Sequence, residues 1–150
     1  MTDMTAPAKS GGAPWHLWVV GVLALLWNGY GAFDYLMTNT QGEAYLAGLG
    51  ATPAQIEYYL AMPAWMNAAW AFGVWGGVLG ALLLLLRSRW ALWAFAASLL
   101  GLIGSWVHTF TSNGLEIAGA AGMIMSAVIT IVALFLLSYA RMMQKAGVLR

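Results

Sequence analysis

The stretch LGALLLLLRSRWALWAFAASLLG, residues 79–101, decides the fold of this 150-residue chain. Two long apolar runs flank three polar residues, Arg87, Ser88 and Arg89. A connection this short joins two helices that lie side by side and antiparallel. An apolar run of about 20 residues is long enough to cross the hydrocarbon core of a bilayer as a helix. The stretch therefore predicts a hairpin of two membrane-spanning helices.

Two further apolar segments flank this hairpin, so that four spans are predicted. They cover residues 15–36, 65–86, 90–110 and 117–140. Charged residues make up only 7% of the chain, against roughly 25% in soluble domains. A cleaved signal peptide is the alternative for the first segment, but the apolar run is too long for one. The sequence thus predicts an all-α fold, a membrane-spanning four-helix bundle.

The segments between and beyond the spans are short, with one exception. They are a tail predicted to be disordered (1–14), a long loop (37–64), two turns (87–89 and 111–116) and a second tail (141–150).

The charges predict the orientation of the bundle in the membrane. When four spans alternate, all six cations fall on one side: Lys9, Arg87, Arg89, Arg141, Lys145 and Arg150. The acids Asp34, Glu43, Glu57 and Glu116 fall on the other, and Asp3 alone breaks the pattern. Because Lys and Arg concentrate in cytoplasmic loops, both termini are predicted to be cytoplasmic and the long loop to be exported.

The long loop contains its own helix signal. Thr52 suits an N-cap, Pro53 the first helical position, and Gln55 completes a capping box. Pro63 stops the helix, which is predicted over residues 53–62. Ile56, Tyr59 and Leu60 share one face, so the helix is expected to lie on the membrane surface or to cap the bundle.

Three spans carry small residues at helical spacing, which predicts close helix packing in lipid. The predicted packing residues are Gly73, Gly77 and Gly80 in the second span, Gly101 and Ser105 in the third, and Gly122 and Ser126 in the fourth. These stripes serve contacts within the chain or between copies of it, and the sequence does not separate the two uses.

Polar residues within the spans are the candidate functional residues, because such groups are costly in lipid. The predicted set is Asn28, Tyr30, Asp34, Asn67, His108 and Glu116. By the predicted topology, most of them lie near the exported end, where they are expected to line one shallow binding pocket. Each also has a structural interpretation. Asn113 and Glu116, for example, fit a capping box at the start of the fourth span.

Several kinds of chemistry find no support in the sequence. The chain has no cysteine, which removes thiolate metal sites and thiol catalysis. Its two histidines, His16 and His108, are predicted at opposite ends of the bundle and cannot share a metal. A net charge of +1 does not suit nucleic-acid binding. We therefore expect no catalytic residue, no metal site and no cofactor.

Short runs distributed over nearly the whole chain resemble one family of membrane proteins. They are residues 26–28, 33–37, 43–45, 52–55, 62–65, 82–91, 112–114 and 139–141. The family consists of small four-helix inner-membrane proteins of proteobacteria, and some members are labelled "sugar transporter". The resemblance implies a bacterial inner-membrane location and the same four-helix topology. It implies no residue-level mechanism.

Three hypotheses on function follow. The first is that the protein, as a homo-oligomer in the lipid bilayer, binds or transports a small solute through an outward-facing polar site. The second is a non-catalytic accessory subunit of a larger membrane complex, with the exported loop as the contact. The third, a membrane-embedded enzyme or haem carrier, has the weakest support, because no paired histidines lie within the bundle.

Overall fold

The computed structural model describes residues 12–150, and the described chain is all-α, as predicted. Residues 1–11 of the predicted tail lie outside the described part. The helices are α1 (Trp15–Gln41), α2 (Glu43–Gly48), α3 (Pro53–Leu60), α4 (Ala64–Leu85), α5 (Ala91–Thr111) and α6 (Gly114–Lys145).

Four of these helices are long and apolar enough to cross a bilayer. The shortest, α5, has 21 residues and is about 32 Å long at 1.5 Å per residue, which matches a hydrocarbon core of about 30 Å. Helices α1 and α6 continue beyond their predicted spans, to Gln41 and Lys145. The lengths and composition fit a multi-pass membrane protein.

The bundle has two ends, which we name by their contents. The terminal end holds the start of α1, the Arg87–Arg89 turn and the end of α6. The loop end holds α2, α3 and the turn at residues 112–113. Helix α4 packs against both α1 and α5, and α6 packs against α5.

Small residues bring the backbones of α4 and α5 together. A Cβ atom added to Gly101 would lie 2.9 Å from the Cα of Gly73, and one added to Gly76 would lie 3.0 Å from the backbone nitrogen of Ser98. Both distances are shorter than a normal van der Waals contact. The Ser98 hydroxyl also donates a hydrogen bond to the Gly73 carbonyl. Gly80 faces the ring of Phe95, so this seam extends toward the terminal end.

The predicted packing residues of α6 have a different environment. A Cβ on Gly122 would meet only the Cβ of Ala118, which belongs to α6 itself. Ser126 donates its hydroxyl hydrogen bond to the Gly122 carbonyl, also within α6. The helix is kinked nearby at Gly119, whose φ of 63° is a left-handed value that favours glycine. Gly122 therefore makes no close contact with another helix of the described chain, whereas further along α6 the Trp106 indole N–H of α5 donates to the Thr130 hydroxyl (2.9 Å).

The hydrophobic core lies at the terminal end. Leu17 of α1 and Leu84 of α4 are fully buried there. The C-terminal segment joins this core, because Val148 and Leu149 are 8% and 5% exposed. Arg150 donates its backbone N–H to the Arg87 carbonyl (2.8 Å) and accepts from the backbone N–H of Arg89 (2.9 Å). Where the sequence predicts a tail, the chain instead folds back beneath the α4–α5 turn.

At the loop end, α3 begins as its sequence predicts. The backbone N–H of Gln55 donates to the Thr52 hydroxyl (3.3 Å), and the Thr52 N–H donates to the Gln55 side-chain oxygen (2.9 Å). Pro53 occupies the first turn. The helix ends at Leu60, before Pro63. This reciprocal capping fixes the start of a helix too short to be stable by itself in water.

Candidate functional site

Helix α3 lies across the loop end and contacts three of the long helices. The Gln55 side chain donates a hydrogen bond to the Ile117 carbonyl of α6 (3.2 Å). Tyr58 reaches α5, and the ring of Tyr59 lies 6.2 Å from that of Trp70 in α4. Of the two predicted placements, capping of the bundle is the one observed. We call α3 the strap helix.

The strap helix holds a buried histidine of α5. His108 is only 7% exposed, and its Nδ1 lies 2.8 Å from the Tyr58 hydroxyl. The Ser112 hydroxyl, one turn further along α5, lies 3.2 Å from the same Tyr58 oxygen. The ring of Trp65 packs edge-on against His108 at 5.7 Å.

An open cleft of about 330 Å³ lies beside this histidine. It is lined by Ala54, Glu57 and Tyr58 of the strap helix and by Ala61, which directly follows it, by His108 of α5 and its C-cap Ser112, and by Ile117 of α6. The strap residues follow an i, i+3, i+4, i+7 pattern, so one face of that helix forms a wall of the cleft. The cleft combines apolar walls with a few polar groups, as small-molecule sites do.

A second polar pair lies on α1 and α2. Tyr45 donates its hydroxyl hydrogen bond to the Asp34 carboxylate (2.8 Å). Burial of the hydroxyl, together with this hydrogen bond and the negative charge, raises the pKa of Tyr45 to about 12. Burial and the charge of Asp34 also raise the pKa of Tyr59. The ring of Tyr59 also packs against that of Tyr58 at 5.8 Å.

The structure divides the residues that the sequence assigns to one pocket. Of the six, only His108 lines the cleft. Asn67 donates instead to the Asn39 side chain (2.8 Å). Asn28 donates to the Ala24 carbonyl within α1 (2.8 Å) and turns its side-chain oxygen toward Gly77 of α4. This second contact places Asn28 in the α1–α4 seam.

The remaining two residues face outward. Tyr30 is 65% exposed, and Glu116 is exposed near the start of α6. The capping box expected from Asn113 and Glu116 is wrong. Asn113 has a left-handed φ of 52°, and its side chain caps nothing. It directly follows Ser112, the C-cap of α5, and a left-handed residue there ends a helix, whereas an N-cap side chain needs extended backbone.

Sequence reasoning missed Glu57 and Tyr58 as site residues. It chose the face of the strap helix with Ile56, Tyr59 and Leu60 because that face is the more apolar. The opposite face, on which Glu57 and Tyr58 lie between two alanines, is visible in the sequence at the same helical spacing. Small residues flanking a carboxylate and a phenol leave room for a ligand, and this signal would have indicated the cleft.

Residues 12–150 contain no group of three or more His, Asp or Glu side chains that would hold a metal ion. Comparison of the chain with known protein families, curated proteins and solved structures finds no match.

Proposed function

We propose that this chain is a multi-pass inner-membrane protein that binds a small solute in the cleft beneath the strap helix, on the outer side of the membrane. One observation carries the proposal. A histidine that is 7% exposed, with Nδ1 hydrogen-bonded to the Tyr58 hydroxyl, lines an open cleft of about 330 Å³. A buried polar residue at membrane depth is costly, and such residues often mark ligand sites.

The outward orientation follows from the charges. The described cations, Arg87, Arg89, Arg141, Lys145 and Arg150, lie at the terminal end. The positive-inside rule makes that end cytoplasmic, and the cleft therefore opens outward.

Because the chain has no cysteine, the orientation can be tested with single introduced thiols at exposed alanines. Ala47→Cys lies at the loop end and Ala146→Cys at the terminal end. A membrane-impermeant maleimide should label the first in cells with a permeabilised outer membrane, and the second only after the inner membrane is opened. The reverse labelling would place the cleft in the cytoplasm and contradict the proposal.

The packing favours binding of a solute over its transport through a single copy of the protein. Below the cleft, the terminal half is filled by a core that includes fully buried Leu17 and Leu84. A solute in the cleft therefore meets packed side chains on its way across the membrane. Transport would require an oligomer or a second conformation, whereas binding requires neither.

The binding proposal is tested by a solute panel on the detergent-purified protein, with tryptophan fluorescence during thermal unfolding as the readout. The test variants are His108→Ala and Tyr58→Phe, which remove the polar wall of the cleft. The control is His16→Ala, because His16 also bonds a tyrosine, Tyr139, but at the terminal end. We expect at least one solute to stabilise both the wild type and His16→Ala. Its affinity for the two test variants should be lower by at least about tenfold, or about 1.4 kcal/mol. Equal effects of both histidine variants would contradict the proposal.

A second candidate function, an accessory subunit of a larger membrane complex, is favoured by α6. Ile124 and Ile131 on this helix are each 66% exposed. Within the described chain, a Cβ added at Gly119 would meet nothing within 4 Å, and one at Gly122 would meet only Ala118 of the same helix. Native mass measurement in mild detergent separates the two functions. Recovery of the chain only in heteromeric complexes would favour the subunit.

A further inference from the structure

The charged side chains at the loop end, where the cleft lies, are all acidic in the described chain. Asp34, Glu43, Glu57 and Glu116 all belong to the loop end, while every Lys and Arg of the described residues lies at the terminal end. The two ends are separated by a bilayer core of about 30 Å, and the charges at each end are screened within about 8 Å by the physiological salt of their own aqueous phase. The cations therefore cannot neutralise the field of these acids, and a solute at the cleft experiences a negative potential.

Glu57 brings that negative charge into the cleft itself. It is exposed, and it is the acidic member of the lining residues. The acids Asp34 and Glu116 lie outside the cleft, on α1 and near the start of α6. An anionic ligand would have to approach this carboxylate without help from any described Lys or Arg at this end of the molecule.

The ring of a tyrosine lines the same cleft as the carboxylate. The ring of Tyr58 lines the cleft and lies 5.3 Å from that of His108. Tyr59 lies on the opposite face of the strap helix, and Trp65 packs against His108 outside the cleft lining, so Tyr58 supplies the aromatic ring that a ligand in the cleft would meet. The electron-rich faces of such rings attract cations, most strongly where water is partly excluded. A carboxylate and an aromatic face in one cleft form an arrangement that favours ammonium groups.

We propose that the ligand of this cleft carries an ammonium group, held between the Glu57 carboxylate and the Tyr58 ring. This inference rests on the proposed function. His108 and Ser112 also line the cleft, so a polar substituent of the same ligand would meet them there. An ammonium group reaches the outer membrane surface either on a free amine or on a lipid headgroup, and both sources present the same chemistry to Glu57.

The test for a free amine uses choline and its uncharged isostere, in which a tert-butyl group replaces the trimethylammonium. Binding to the full chain in detergent is followed by tryptophan fluorescence. We expect choline to bind at least about tenfold more tightly than the isostere. Glu57→Gln should remove that preference, while Glu43→Gln, an exposed acid of α2 outside the cleft, should keep it.

The test for a lipid-borne group uses nanodiscs of phosphatidylcholine or phosphatidylglycerol. Selective stabilisation of the wild type by phosphatidylcholine, lost in Glu57→Gln and kept in Glu43→Gln, also supports the proposal and identifies a headgroup as the source.

Equal affinity for choline and the isostere, or equal effects of the two Gln variants, overturns the ammonium proposal. If neither choline nor phosphatidylcholine binds but an uncharged solute of the panel does, the ammonium proposal fails and the solute site stands. If nothing binds in a manner sensitive to His108→Ala, the proposed function fails as well.

Discussion

Replacing Gly101 by alanine should separate the two most closely packed helices of this protein. The new Cβ would lie 2.5 Å from the backbone nitrogen of Gly73 and 2.9 Å from its Cα. Both atoms belong to the backbone of α4, so no side-chain rotation relieves the clash. Restoring a normal contact of about 3.5 Å requires α4 and α5 to move apart by about 1 Å.

The energetic cost follows from this displacement. Overpacking of a well-packed contact typically costs about 1–3 kcal/mol. The same movement stretches the hydrogen bond from Ser98 to the Gly73 carbonyl, which is worth about 0.6 kcal/mol in a membrane protein. Alanine regains up to about 1 kcal/mol over glycine through its helix propensity. The balance is a net loss of about 1–2 kcal/mol in the free energy of unfolding.

The matched control is Gly29→Ala in α1, because a Cβ at Gly29 meets nothing within 4 Å. This variant keeps the propensity gain without the clash, so it should be as stable as the wild type or more stable. Reversible unfolding in mixed micelles with increasing dodecyl sulfate, followed by tryptophan fluorescence, measures both. If Gly101→Ala proves as stable as Gly29→Ala, the backbone contact between α4 and α5 is not as close as described, and the reasoning is refuted.

Two further predictions concern the two ends of the bundle. Tyr45→Phe should cost about 1 kcal/mol at neutral pH, because it removes the hydrogen bond to the partly exposed Asp34 carboxylate. The pKa of Tyr45 is raised from 10.0 to about 12, so the contribution of its protonated hydroxyl to stability is fully present below pH 10 and is lost as pH rises through 12. In chemical denaturation, the difference in stability between wild type and variant should therefore shrink over that window. A constant difference would contradict the assignment. Leu149→Ala should cost about 2–3 kcal/mol, because the side chain is 5% exposed within the terminal core. Leu86→Ala, at a residue 75% exposed, should change stability by less than about 0.5 kcal/mol, and similar losses in both would show that the C-terminal segment is not docked.

The parts of the fold that could be predicted from the sequence are those determined by residues close together in the chain. The hairpin around Arg87–Arg89 follows from two apolar runs separated by three residues, and the start of the strap helix follows from Thr52, Pro53 and Gln55. Each signal lies within a few residues of its effect. Asn113 shows the limit of such reasoning, since the same residue type suits an N-cap and a left-handed helix end. The preceding helix decided between them.

The candidate site was less accessible to prediction, because it depends on contacts between distant segments. His108 is recognisable from the sequence as a rare polar group in an apolar span. Its partner Tyr58 lies 50 residues away in the chain. Likewise, the burial of Val148 and Leu149 depends on the shape of the underside of the α4–α5 turn. No local pattern encodes either contact.

The amino-acid sequence by itself determined that this chain forms four apolar helices with their charges sorted to opposite ends. The reason is that transfer into lipid depends on composition, and a helix satisfies its backbone hydrogen bonds within its own segment. The tertiary structure alone decided which face of each helix meets which neighbour. A shift of one residue turns a different face of a helix, about 100° away, toward its neighbour, while the hydrophobicity of the helix hardly changes. The pairing of Tyr58 with His108 and the cleft beside them therefore arise only when the helices pack.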